Sequence, residues 1–207
     1  MKFVILVEGH TEEDNLADFI SRWINPKIKQ PVKFEIDRFA GCTDFDKRAA
    51  EKTKDHLSSP QAKEIIAVIG LIDLYGPKFY PPDKNTVQQR YEWAVTHFTN
   101  EVNQDKFRMF LAVHELEAWL LSQPEIFPPQ VAEILKKECR TPEIVNFNEP
   151  PFKFLHRIYK EKLNKGYKKT VQGRNLFPKL DPDIAYNKCP YLKAMLDQML
   201  ELAQKTG

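Results

Sequence analysis

A chain of 207 residues with 42% hydrophobic content is sized for one packed core and a small appended subdomain, and its composition excludes a disordered chain. Its formal net charge of +2 selects no class of partner, and no uninterrupted apolar run nears the ~20 residues of a membrane-spanning helix. Cys42, Cys139 and Cys189 are odd in number, far apart and without a CxxC pair. They argue against a disulfide framework or a thiolate zinc site, and the expected compartment is the reducing cytoplasm.

The predicted elements begin with Lys2 to Val7, KFVILV, a continuous apolar run of the kind buried on both faces of a parallel sheet. Glu8 cuts the run off too early for a secretory h-region. Gly9 follows, and Thr11 with Asp14 resembles a capping box opening a helix. Leu16, Phe19, Ile20, Trp23 and Ile24 place one apolar face on that helix. Val32, Phe34 and Ile36 alternate with polar residues and predict a more exposed second strand. Phe45, Ala49 and Thr53 mark a second helix that ends before Pro60.

Ile65 to Ile72 is the most hydrophobic stretch and predicts a central strand. Val87, Tyr91, Ala94, Val95, Phe98 and Val102 form one face of a third helix, and Phe107 to Val113 is a fourth strand. This alternation predicts an α/β fold, a four-stranded parallel sheet flanked by helices, over residues 1–121. Residues 122–207 read as a C-terminal helical, basic subdomain packed on it, with helices near 130–139 and 151–163. Its final helix carries Leu192, Met195, Leu196, Met199 and Leu200 at helical spacing.

Three of the strands run into acids: Glu8 after the first, Asp73 after the third, and His114, Glu115 and Glu117 after the fourth. Ligands of doubly wound sheets bind beyond the carboxyl ends of the strands, and a 2-1-3-4 order places Glu8 and Asp73 on either side of the crevice. Glu12, one turn into the first helix, leans towards the same place. Taken singly, Glu8 reads as a solvated loop residue, Glu12 as a helix-dipole partner, Asp73 as a turn former and His114 as a hydrogen-bonded strand-end histidine. Together, carboxylates this close require a compensating charge, and oxygen-only donors select Mg²⁺ or Mn²⁺.

Between residues 153 and 179 stand nine lysines and arginines against one acid, Glu161. Phe154, Tyr159, Tyr167 and Phe177 are interleaved with them. The tract reads either as a solvated Lys-rich surface or as a nucleic-acid interface. In the second case Lys153, Arg157, Lys160, Lys168, Lys169 and Arg174 contact phosphates and the aromatics stack on unpaired bases.

At Val7-Glu8-Gly9-His10-Thr11-Glu12 and Ile72-Asp73-Leu74-Tyr75-Gly76 the sequence resembles the Toprim superfamily of topoisomerases, primases and OLD-type nucleases. With His114 to Leu120 and Cys189-Pro190-Tyr191-Leu192, it is similar across nearly the whole chain to a bacterial Toprim-like family labelled a domain of unknown function. The resemblance implies that Glu8 is a metal ligand or general acid/base and that Asp73 is the first acid of the Toprim DxD pair. It makes Glu12 and Glu117 additional carboxylates for a second metal, with Glu115 or Glu117 supplying a further oxygen. Lys169, with Lys168 as its near equal, stands for a late lysine that stabilises phosphoryl charge.

The expected activity is metal-dependent phosphodiester hydrolysis on DNA or RNA. An ATPase partner of the AAA or ABC type and a role in phage defence are implied by analogy. One departure stands out: the second acid of DxD is Tyr75 here, and a phenol does not replace a carboxylate as a tight Mg²⁺ ligand. That keeps open a non-catalytic, Toprim-like effector subunit acting through a partner protein.

Overall fold

The computed structural model describes residues 1–144 and 149–206, and for residues 10–14 it describes the backbone but not the side chains. Four strands form one sheet in the order β2-β1-β3-β4, every neighbouring pair parallel. They are β1 (Lys2–Val7), β2 (Lys33–Arg38), β3 (Ile65–Asp73) and β4 (Phe107–Ala112). The helices between them are α1 (His10–Ile24), α2 (Cys42–Ser58) and α3 (Val87–Val102). This is the parallel α/β class expected from the apolar runs, in the order under which Glu8 and Asp73 flank one crevice.

The pleat sends alternate side chains to opposite faces, apart from a register shift at the start of β3 that puts Ile66 and Ala67 in the same core. Phe3, Ile5, Val7, Ile69 and Leu71 enter one core with Leu16, Phe19, Ile20 and Trp23 of α1. Val4, Leu6, Val68 and Ile72 enter a second core with Phe45 and Ala49 of α2 and Ala94 and Phe98 of α3. β3 is buried along its whole length, which explains its continuous apolar sequence, whereas β2 alternates exposed and half-buried positions at the sheet edge. Gly70 sits in mid-strand because a Cβ there would lie 2.7 Å from Met109 Sδ and 3.1 Å from Phe45 Cζ. Bulk at this position would push two secondary-structure layers apart.

The remaining chain adds α4 (Glu117–Leu121), α5 (Pro129–Glu138), α6 (Pro151–Leu163), α7 (Arg174–Leu176), α8 (Pro182–Lys188) and α9 (Pro190–Thr206). These helices share the α1-side core. Phe19 stacks on Trp119 at 5.7 Å between centroids and meets Phe177 edge-on at 5.4 Å, and Arg22 Nη1 donates to the Leu180 carbonyl at 2.9 Å. Among the described residues no helix is long and apolar enough to cross a membrane.

The expected capping box at Thr11 and Asp14 falls on side chains outside the described residues. A complete one opens α3, where Thr86 accepts from the Gln89 N–H at 3.2 Å and the Gln89 side chain accepts from the Thr86 N–H. Helices α4 and α8 went unread in the sequence because their few residues do not establish a 3.6-residue period. The basic segment after α6 contains a π-helical turn, Lys169–Gly173, leading into α7.

Candidate functional site

Backbone pairing persists beyond the strands and keeps their carboxyl ends in register. The Phe39 N–H donates to the Val7 carbonyl at 2.8 Å, and the Leu74 and Tyr75 N–H groups donate to the Ala112 and His114 carbonyls at 2.9 Å. Gly41, at φ +94°, brings its N–H to the Glu8 carbonyl at 3.1 Å, and Gly76, at φ +113°, turns the chain away after Tyr75.

On this frame the acids are fixed by one another's backbones. Glu8 Oε1 accepts the Asp73 N–H at 3.0 Å, joining the ends of β1 and β3. Asp73 Oδ1 accepts the Leu116 N–H at 3.1 Å, joining β3 to the turn before α4. Glu115 Oε2 accepts the Phe152 N–H at 2.7 Å, in the first turn of α6, where the helix dipole favours an anion.

The charge at the centre is Lys169. Its Nζ lies 3.0 Å from Glu117 Oε2 and 3.5 Å from both Asp73 Oδ2 and Glu115 Oε1. The Glu117 contact is charge to charge, since Oε2 is buried and outside hydrogen-bond geometry. Asp73, Glu115 and Glu117 are all buried, while 29% of the Lys169 side chain remains exposed. Burial opposes the lysine's charge, but Asp73, Glu117 and Glu115 override it and hold its pKa above the ordinary value. Burial raises the pKa of Glu117, Lys169 pulls it down and Glu115 raises it again. Three carboxylates facing one ammonium leave an excess of negative charge, so Lys169 meets only part of the demand for counter-charge.

Among the described residues, no three acid, histidine or cysteine side chains are positioned to hold a metal ion as they stand. Asp73, Glu115 and Glu117 instead each face the Lys169 ammonium. Their chemistry nonetheless suits a hard divalent cation, being all oxygen, with the carboxylates anchored through backbone N–H groups.

The structure thus brings together Glu8, Asp73, Glu115, Glu117 and Lys169 from the residues singled out in the sequence. The side chain of Glu12 lies outside the described residues. Lys168, the near equal of Lys169, is exposed, and its N–H donates to Gln172 Oε1 at 2.7 Å. Lys153, Arg157 and Lys160 share the exposed side of α6, and Arg174 is exposed on α7. Arg157 is engaged by Glu149 at 2.7 and 3.0 Å, so its charge is largely answered within the chain. Tyr75, two residues after Asp73, accepts a hydrogen bond from Lys153 Nζ at 3.3 Å. His114 is buried, and desolvation lowers its pKa, which keeps the ring neutral.

The interleaved aromatics require correction. Phe154, Tyr159, Tyr167 and Phe177 are all buried in the core and have no face to offer a base. Phe154 and Tyr159 lie on the buried face of α6 with Leu155 and Ile158. The exposed ring on α6 is His156, with Phe152 half-buried one turn before it.

Two further neighbours escaped the sequence reading. Tyr80 carries a buried hydroxyl without a hydrogen-bond partner among the described residues. Burial raises its pKa, Arg90 opposes this, and Glu8 and Asp73 add to the rise. Arg90 lies over its ring at 5.0 Å and donates through Nε to the Lys84 carbonyl at 2.9 Å. The Phe79-Tyr80 pair directly after the Asp73 turn was the available signal.

Two solved structures align along nearly the whole chain. The C-terminal region of the Burkholderia pseudomallei OLD protein is 18% identical, with 97% of this chain and 98% of that one covered and a TM-score of 0.47. The C-terminal region of the Xanthomonas campestris pv. campestris OLD protein is 14% identical over 97% and 95%, with a TM-score of 0.45. No curated protein matches. A family model spans residues 7–200, and the chain belongs to that family, described as Domain of unknown function (DUF4276).

Proposed function

We propose that this chain is a divalent-cation-dependent nuclease that hydrolyses phosphodiester bonds of DNA or RNA at the carboxyl ends of its parallel strands. The observation that carries the reading is the convergence of Asp73, Glu115 and Glu117 on Lys169, with Glu8 fixed against the Asp73 amide. The Toprim-like motifs around Glu8 and Asp73 support it independently.

Asp73, Glu115 and Glu117 would hold Mg²⁺ or Mn²⁺, with Glu8 beside them and Glu12 as a further donor. A cation held there supplies Lewis acidity to a phosphoryl oxygen and acidifies water. Lys169 plays two parts. Its ammonium offsets part of the charge of the acids, and beside a bound cation it would donate to the phosphoryl oxygens. Lys153, Lys160, Lys168 and Arg174 would hold the phosphates of the bound strand. An ATPase of the AAA or ABC type acting with this chain in phage defence, in the cytoplasm, belongs to the same proposal.

The test is digestion of plasmid and single-stranded DNA and RNA with Mn²⁺ or Mg²⁺, comparing wild type with Glu8→Ala and Asp73→Ala. We expect cutting by wild type that EDTA abolishes and that either substitution lowers by about 100-fold or more. Equal cutting by all three proteins would refute the assignment.

A second reading rests on Tyr75. In the Toprim resemblance a phenol stands where a second acid is expected, and Lys153 holds it, which suits a subunit that keeps the fold and works through a partner. Retained nucleic-acid binding without cutting in any divalent cation supports this alternative.

A further inference from the structure

Beside the acid centre, α6 carries an open groove of about 370 Å³ lined by Phe152, Lys153, His156, Arg157 and Lys160. The residues follow from helical spacing: Phe152, His156 and Lys160 recur every fourth position, as do Lys153 and Arg157. Two rings therefore stand among three cationic side chains, their centroids 6.0 Å apart and their planes inclined by 46°.

The rings are held rather than loose. His156 Nδ1 lies 3.1 Å from the Tyr167 carbonyl, which fixes that nitrogen as the protonated donor. Gly166 lies so close beneath the imidazole that a Cβ there would overlap Cε1, so the backbone supports the ring directly. Phe152 meets Tyr167 edge-on at 6.1 Å, and the Lys169 ammonium lies 5.6 Å from its centroid.

The groove is also continuous with the carboxylates. The Phe152 N–H is the one that Glu115 accepts, and Lys153 reaches Tyr75 at the end of β3. A strand whose phosphate lay at the acid centre would have its neighbouring nucleotide over these rings. Duplex phosphates alone would call for the lysines and leave the rings without purpose, whereas an unpaired base offers a π-face to them and its flanking phosphates offer charge to Lys153 and Lys160.

We propose that the Phe152–His156 groove is a stacking subsite for one unpaired nucleobase, which makes a single strand the substrate class of the neighbouring acid centre. This rests on the nuclease reading for its purpose but not for its test. Fluorescence anisotropy is measured on the full chain in EDTA, so that nothing is cut. The probes are labelled oligodeoxyadenylate, oligoadenylate and a DNA duplex of equal length.

Both single strands are expected to bind more tightly than the duplex. Phe152→Leu keeps the apolar volume without the π-face and should weaken the strands about tenfold while leaving the duplex unchanged. Phe152→Tyr should restore the strands, and Lys160→Gln should weaken all three probes. A difference between the DNA and RNA strands identifies the sugar and supports the base site equally. A preference for duplex, no binding to any probe, or equal losses on strand and duplex with Phe152→Leu overturns the proposal. Strand stacking in a chain that never cuts overturns only the nuclease reading. Cutting by a chain whose strand affinity ignores Phe152 overturns only the stacking site.

Discussion

Glu8 Oε1 accepts the backbone N–H of Asp73 at 3.0 Å, a bond across 65 residues of sequence that closes the crevice between β1 and β3. A hydrogen bond to a charged acceptor contributes about 1.5–3 kcal/mol, and its loss leaves the amide of a buried residue unanswered. Glu8→Ala should therefore lower the unfolding free energy by roughly 2 kcal/mol. Glu8→Gln retains an acceptor oxygen and should cost less than half as much. Urea denaturation of the pair separates the bond from the charge, and equal losses would show that the charge alone matters.

Lys169 supplies the positive charge shared by Asp73, Glu115 and Glu117. Lys169→Met should destabilise the chain by roughly 2 kcal/mol at neutral pH, less than for a fully buried pair because the lysine is partly exposed. Glu117, whose pKa burial raises and Lys169 pulls down, then binds its proton more readily, so the variant should regain stability on acidification faster than wild type. Thermal melting at pH 8 and pH 5.5 reads both effects. A variant as stable as wild type at pH 8 would mean that the acids are not ionised together.

The sheet was legible in the sequence because β1, β3 and β4 are buried on both faces and so read as unbroken apolar runs, while the edge position of β2 makes it alternate. Glu8 and Asp73 were legible for the same reason, as the first charges to interrupt those runs. Lys169 was not legible from its neighbourhood, since it meets Asp73 across 96 residues and looks locally like any lysine of a basic tract. Only the family resemblance singled it out. The Arg157–Glu149 ion pair was not legible either, because Glu149 lies eight residues away, just ahead of α6 and beyond helical spacing. The rings of α6 were assigned to the wrong face because aromatic and basic residues alternate along it, and the register becomes visible only when the helix is docked on the core.

Glu143 is a second buried carboxylate, away from the acid centre, accepting the Tyr191 and Leu192 N–H groups at 2.7 and 3.2 Å at the start of α9. Burial pushes its pKa up to about 7 from an ordinary 4.5, with the two N–H bonds opposing the rise. A carboxyl that binds its proton more tightly when folded favours folding fully below pH 4.5 and loses that contribution as the pH climbs through about 7. At 1.36 kcal/mol per pH unit the difference is roughly 3 kcal/mol. Glu117, also raised by burial, acts with the same sign. Glu143→Gln should flatten the stability profile between pH 4.5 and 7 in denaturant titrations, and an unchanged slope would contradict the assignment.

Gly70 faces Met109, Phe107 and Phe45 at distances too short for an added methyl group. Gly70→Ala should cost roughly 1–3 kcal/mol by overpacking, despite the better strand propensity of alanine. A melting temperature equal to or above that of wild type would show that Met109 and the rings yield freely.

The most direct test of the acid centre is calorimetric titration of Mn²⁺ into wild type, Asp73→Asn and Lys169→Met. Wild type should release binding heat, and Asp73→Asn should bind ~10-fold more weakly or not at all. Lys169→Met should bind more tightly, because no ammonium competes for the same oxygens. Absence of heat in both wild type and Lys169→Met at millimolar Mn²⁺ would contradict the account.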